Sequence, residues 1–283
     1  MITLRVNSER CADCGVCVEE CPLHTPAPGT KHADHGHRFC DKCLHCYTVC
    51  PCGAIEADGL TPIAMTGGNA LYDMFQSRRS SRYFKDAEID EATLQTLLGS
   101  ANYIPSGGNA HELVITVVRD AGTKRRLREA VIRYYERTIN MTRIPLVKPL
   151  LRIFGDGKVK AALGDKEFEA KIRNMIRRDD KRDLVFYDAP AILVFHTARL
   201  LPTPSEDCIL AAYNITLLAE SLGLGTCFVS LSQQALSADQ RCRSLIGIAA
   251  KEKVHAVLVL GYPLRKHRRI APRTGVIVRS VRN

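Results

Sequence analysis

The chain has 283 residues, a formal net charge of +10 and twelve cysteines. That length exceeds one typical domain. No apolar run approaches the ~18 residues of a membrane span, and the start, Met1-Ile2-Thr3-Leu4-Arg5-Val6, lacks the basic-then-apolar pattern of an export signal. The charge is regional: residues 1–60 hold five Lys/Arg against eight Asp/Glu, whereas residues 119–182 hold nineteen against nine. No nucleic-acid motif accompanies the basic stretch, which leaves a solvated helical face or a docking patch for an acidic partner. Cysteine-rich composition without an export signal points to a reducing, cytoplasmic setting.

Eight of the cysteines fall into one pattern written twice, Cys11-x-x-Cys14-x-x-Cys17-x-x-x-Cys21-Pro22 and Cys40-x-x-Cys43-x-x-Cys46-x-x-x-Cys50-Pro51. Thiols at i, i+3 and i+6 let a tight loop cover three corners of a cubane, and the fourth corner must be supplied from elsewhere. Zinc sites show paired Cys-x-x-Cys instead, and disulfides need an oxidising compartment. The pattern therefore predicts two 4Fe–4S clusters with crossed ligation, Cys11, Cys14, Cys17 and Cys50 on one and Cys40, Cys43, Cys46 and Cys21 on the other. Residues 1–58 resemble the bacterial two-cluster ferredoxins, which implies a pseudo-twofold arrangement of short strands and small helices. Cys52 is left over as a bystander. His32, His35 and His37, with His24 and His45 nearby, read as a polar loop, with metal binding as the sharper alternative.

Residues 59–68 read as a linker, with Gly59, Pro62, Gly67 and Gly68 as turn formers. Beyond it the spacing predicts helices over 70–79 and 91–101, the second capped by Asp90. A buried strand is expected at 113–118, and others at 191–195, 227–229 and 254–260. Between the second and third of these, a helix over 205–222 places Ile209, Ala212, Ile215, Ala219 and Leu222 on one stripe, expected to face the core. Cys208, Cys227 and Cys242 read as small buried hydrophobes. The expected class is α+β, a central sheet between helices.

Two loops carry chemistry. Arg78-Arg79-Ser80-Ser81-Arg82 gathers three guanidiniums and two hydroxyls, a donor set suited to a phosphate monoester. Pro105-Ser106-Gly107-Gly108-Asn109 is a turn with an amide at its end, able to approach a flat ring closely. In this order, followed by Gly223-Leu224-Gly225-Thr226-Cys227 and Gly261-Tyr262-Pro263, these motifs resemble the nitroreductase-like flavoproteins over about residues 69–283. With the N-terminal part the chain resembles the ferredoxin–nitroreductase fusions. The resemblance implies a homodimeric α+β sandwich binding FMN. Arg78, Arg79, Ser80 and Arg82 would hold its phosphate and ribityl chain, and Pro105, Ser106, Gly107 and Asn109 would lie along the ring. Gly223, Leu224, Gly225 and Thr226 would offer backbone groups, and Arg269 and Arg273 would reach the phosphate again. The tail 275–281 would embrace the partner subunit.

The chain departs from many relatives after Asn109, where Ala110-His111-Glu112 stands. His111 reads as a packed core histidine or, alternatively, as a proton donor. A basic segment over 139–182 is longer than the family needs, and reads as an amphipathic lid or as an inserted helical pair. The resulting expectation is an iron–sulfur flavoenzyme. Single electrons would pass from a low-potential donor, an external ferredoxin, through two clusters to FMN and on to a nitroaromatic, quinone or activated alkene, with NAD(P)H bound directly over the flavin as the alternative donor. The alternatives are an electron-transfer module serving a partner protein and a flavin-binding or flavin-modifying protein.

Overall fold

The computed structural model describes residues 3–21, 40, 43–58, 69–107, 110–142, 166–176, 182–198, 203–273 and 275–281. They divide into two compact units, one of residues 1–78 with 265–283 and the other of residues 79–264. The expected division placed everything from residue 69 onward in the second unit. Instead, the last nineteen residues and α3 (Ala70–Ser77) group with the cysteine-rich part. The expected linker 59–68 and the His-rich loop 31–37 lie outside the described residues.

In the first unit, β1 (Thr3–Val6) pairs antiparallel with β2 (Ile55–Asp58), matching Leu4 to Ala57 and Val6 to Ile55. Two one-turn helices, α1 (Val16–Glu19) and α2 (His45–Val49), each carry the third cysteine of a run, Cys17 and Cys46. Each begins from a left-handed residue at the equivalent position, Gly15 at φ 72° and Leu44 at φ 62°. The repeat in sequence is thus a repeat in backbone conformation. Leu44 bears the steric cost glycine avoids, and its side chain is buried with Leu4, Tyr47, Ala54 and Ile55. A core this small cannot carry much stability unaided.

The second unit is built on one antiparallel sheet in the order β3–β4–β6–β5, with β3 Val114–Val118, β4 Ala191–Ala198, β5 Gly225–Phe228 and β6 Glu252–Gly261. Both faces of β4 and β6 are covered, which is why these strands read as continuous apolar runs rather than alternating ones. Ile192, Val194, Val257 and Val259 face a core completed by α5 (Ala121–Thr142), α6 (Lys166–Met175) and α8 (Ser230–Ala238). Leu193, Phe195, Leu258 and Leu260 face α4 (Glu91–Gly99) and α7 (Pro204–Ser221). The Asp90 cap is present, its carboxylate accepting from Thr93 N at 2.8 Å. A short helix, α9 (Gln240–Ser244), completes the unit.

Cys208, Cys227 and Cys242 are buried as expected. Burial pushes the Cys208 thiol up to about 12, with the Asp207 charge adding to it. The helical stripe on α7 requires a correction. Ile209 and Leu222 are 47% and 45% exposed, and the buried row is Cys208, Ala211, Ala212, Ile215 and Ala219. Small residues let α7 lie close to the sheet, so its larger side chains point away. In the basic stretch, α5 buries Leu127, Val131, Ile132, Tyr135 and Ile139 and leaves Arg125, Arg126, Arg133 and Arg137 exposed, so its charge lies on a solvated face. Ile172 of α6 and Ile176 just beyond it join the same core. Residues 143–165, on which the lid expectation chiefly rests, lie outside the described residues.

His196 sits at a register shift in β4, between the Thr116 hydroxyl at 2.9 Å and Glu252 Oε1 at 3.2 Å. Burial holds its imidazole below the usual histidine range, outweighing the opposing pull of Glu252. The unfolded chain therefore binds the extra proton first, and stability falls as pH drops below about 6.5. Urea midpoints measured from pH 7.5 to 5 are expected to decline, and His196→Gln should flatten that slope while lowering stability at pH 7.5.

Candidate functional site

In the first unit, Cys11, Cys14 and Cys17 line one cavity together with Cys50, from the other run, and with Cys52. Ala54 N–H points at Cys50 Sγ from 3.3 Å, the kind of donor that a ligating sulfur accepts. Around Cys46 the neighbouring thiols are Cys43 and Cys21, then Cys17. Burial, followed by those neighbours, raises the Cys46 thiol well above its usual range. Thiols packed together this way become thiolates only with a cation among them. Soft cysteine donors at this spacing suit iron in a cluster. Cys52 is exposed at the rim, its sulfur 3.7 Å from that of Cys50.

In the second unit, the structure joins two loops that lie nearly 150 residues apart in sequence. Ser80 and Thr226 form a parallel bridge, and Ser81 N donates to the Thr226 carbonyl at 2.8 Å. This approach requires glycine at position 225, where a Cβ would lie 2.3 Å from Ser81 Oγ. Gly223, at φ +74°, makes the turn that leads there from α7. Arg79 is buried, and the Arg82 guanidinium lies 5.8 Å from the centre of the Tyr187 ring. Arg182 covers the Tyr83 ring at 3.5 Å and donates to the Arg82 carbonyl.

The Pro105–Gly107 loop is held separately. Gly107 N donates to Thr203 Oγ1 at 2.8 Å, and that hydroxyl donates to Asp207 Oδ1 at 2.8 Å. His111 N donates to Ser106 Oγ at 3.2 Å. The expectation of a packed core histidine fails, because His111 is exposed with φ 47°. A side chain following a glycine-rich turn cannot reach the core from a left-handed backbone here. Gly108 and Asn109 lie outside the described residues.

Arg269 also departs from expectation. Its guanidinium donates to the Cys50 carbonyl at 2.6 Å and the Tyr47 carbonyl at 3.4 Å, within the cysteine-rich unit. Arg273 is exposed in the same unit. The sequence reading also missed Arg182, Tyr187, Thr203 and Asp207. Only the last pair left a trace, as Thr203-Pro204 opening a helix four residues before an acid.

The sequence profile of the nitroreductase family matches residues 75–262, and that of a 4Fe–4S dicluster domain matches residues 3–51. The chain belongs to the nitroreductase family. It is an oxidoreductase carrying an N-terminal 4Fe–4S dicluster domain. Among its relatives is an NADH dehydrogenase of Thermus thermophilus, 28% identical over 187 residues, which cover 66% of this chain and 83% of the relative. A nitrobenzene nitroreductase of Ectopseudomonas oleovorans is 29% identical over 164 residues, covering 55% and 71%. The fold matches that of a nitroreductase from Desulfitobacterium hafniense solved with bound FMN, with a TM-score of 0.54, 18% identity and coverage of 75% of this chain and 99% of that one. The nitroreductase match ends before the last 21 residues, and neither profile accounts for them.

The Gly225 contact generates a test within this nitroreductase unit. Gly225→Ala should lower the melting temperature, by an amount corresponding to about 1–3 kcal/mol of overpacking. Adding Ser81→Gly, which removes the atoms at 2.3 and 2.6 Å, should recover part of the loss.

Proposed function

We propose that the chain is an iron–sulfur flavoprotein in which two 4Fe–4S clusters pass single electrons to FMN, for the reduction of a nitroaromatic, quinone or activated alkene. The observation that carries this reading is the cavity where Cys50 joins Cys11, Cys14 and Cys17. Of the eight cysteines in the two runs, these four are the ones on its wall, beside Cys52, which supports the crossed ligation that a two-cluster electron carrier needs. Bound FMN would supply two-electron chemistry, and the clusters one-electron steps.

The chain's own residues then have distinct tasks. Arg78, Arg79, Ser80 and Arg82 would hold the phosphate end with charge-assisted donors. The bridge from Ser80 to Thr226 supports this by fixing the segment against the backbone of Gly223–Thr226, which would face the flavin. Pro105, Ser106 and Gly107, tied through Thr203 to buried Asp207, would form a rigid wall beside the ring, and Asn109 would extend it. Exposed His111, anchored at its backbone to Ser106, would deliver a proton to the reduced acceptor. A reduced external ferredoxin is the donor in this reading, and the basic face of α5 suits an acidic protein. The Thermus relative, an NADH dehydrogenase, supports a reduced nicotinamide as the competing donor. The outward apolar side chains of α7, Ile209, Leu210 and Tyr213, support assembly as a homodimer.

Anaerobically purified protein should contain about eight irons per chain, and Cys50→Ser about four, with FMN unchanged. Arg82→Gln should weaken FMN retention about tenfold or more, the loss of one charge-assisted contact, with iron unchanged. Photoreduced protein should be reoxidised by a nitroarene, quinone or enone faster than in buffer alone. Reoxidation no faster than in buffer with all three would overturn the reductase reading.

A further inference from the structure

The last segment of the chain behaves as part of the cysteine-rich unit. Arg265 pairs with Glu19 and lies 3.9 Å from buried Glu20. Arg268 N donates to the Thr48 carbonyl at 2.9 Å. The Thr48 hydroxyl donates to the His45 carbonyl at 2.9 Å, so at 2.8 Å it accepts from His267 Nδ1–H. Ile270 and Ala271 are 5% and 2% exposed, and Ala271 packs into the small core with Cys46 and Cys50. Arg269 is central to this strap. Its guanidinium occupies a slot beside Gly53, where a Cβ would come within 2.7 Å of it, and donates to the carbonyl of Cys50 itself.

We propose that Arg269 is a positioning residue that sets the reduction potential of the cluster held by Cys11, Cys14, Cys17 and Cys50, and that residues 265–271 are a working part of the electron-carrying unit. The inference rests on the two-cluster reading. Reduction adds one negative charge to a cluster, and a fixed, part-buried guanidinium favours that state. The same hydrogen bond holds the peptide of the one ligand that comes from the distant run, and such outer contacts govern cluster and metal-site properties. Removing the charge should therefore make this cluster harder to reduce and leave the other unchanged.

Redox titration followed by electron paramagnetic resonance tests this on the full-length protein, with iron content measured in parallel. Arg269→Gln should keep about eight irons and lower one cluster midpoint by 59 mV or more, a tenfold change in the reduced-to-oxidised ratio of a one-electron couple. Arg269→Lys, which keeps the charge and loses the fork, should shift it by less than half as much. Arg273→Gln, at an exposed position of the same tail, should shift neither midpoint. Midpoints in Arg269→Gln equal to those in Arg273→Gln would overturn the proposal. If Arg269→Gln instead retains about four irons with the spectrum of Cys50→Ser, the positioning role is upheld. Loss of both clusters overturns it, because the effect is then on the whole unit. Wild-type protein with fewer than about eight irons would sink the two-cluster reading, a result distinct from a failure of the Arg269 variants.

Discussion

A cube has more corners than a short loop can reach, and this constraint organises the N-terminal part of the chain. Three cysteines at intervals of three residues bend around one side, and closure needs a sulfur from a second run. The chain meets it by duplicating the loop, down to the left-handed residues Gly15 and Leu44 that start α1 and α2. In the proposed reading neither half is complete alone, because Cys21 and Cys50 each serve the opposite set. A domain of this kind derives its stability from metal–sulfur bonds more than from Leu4, Ala54 and Ile55. Its folding and its cluster loading are then one equilibrium.

The oxidoreductase unit follows a different logic. Its central strands are buried on both faces, so β4 and β6 are held by apolar packing and need no cofactor to define them. That rigid sheet positions the loops. β5 begins where β6 ends, with Gly225 opposite Gly261, and both glycines leave room for neighbouring side chains, Ser81 at one and Pro190 with Phe84 at the other. The segment Ser80–Phe84 is thereby fixed at the sheet edge by backbone bonds, to Thr226 through Ser81 N and to Tyr262 through Lys85 N. A phosphate-binding group placed there inherits the precision of the sheet.

The strands and the cysteine grouping were legible in the sequence because each depends on a local pattern. Continuous apolar runs located β4 and β6, and the spacing of thiols pointed to Cys50 as the distant partner of Cys11, Cys14 and Cys17, though not to Cys52 on the same cavity wall. The pairing of Ser80 with Thr226 was foreseen only as two motifs with one ligand, since nothing local says that two loops touch. Ile209 and Leu222 were misplaced for a different reason. A helix of mixed small and large apolar residues has two plausible stripes, and only the closeness of the sheet selects the one with alanines. His111 was misjudged because composition does not reveal a left-handed backbone. Arg269 was misassigned because its charge suited a phosphate, while the slot that Gly53 leaves open is visible only in three dimensions.

That last difference changes how the charge of the chain is understood. The tail holds Arg265, Lys266, Arg268, Arg269 and Arg273, and a basic cluster beyond the family match would ordinarily be read as a solvated end. Here Arg265 and Arg269 are engaged with the acidic and carbonyl groups of the cysteine-rich unit, whose first sixty residues carry a net negative balance. The two ends of the polypeptide are complementary in charge and join in one compact unit. The oxidoreductase sequence is thus inserted between two parts of the electron carrier. A chain arranged this way cannot complete its carrier until synthesis has passed through the whole nitroreductase unit.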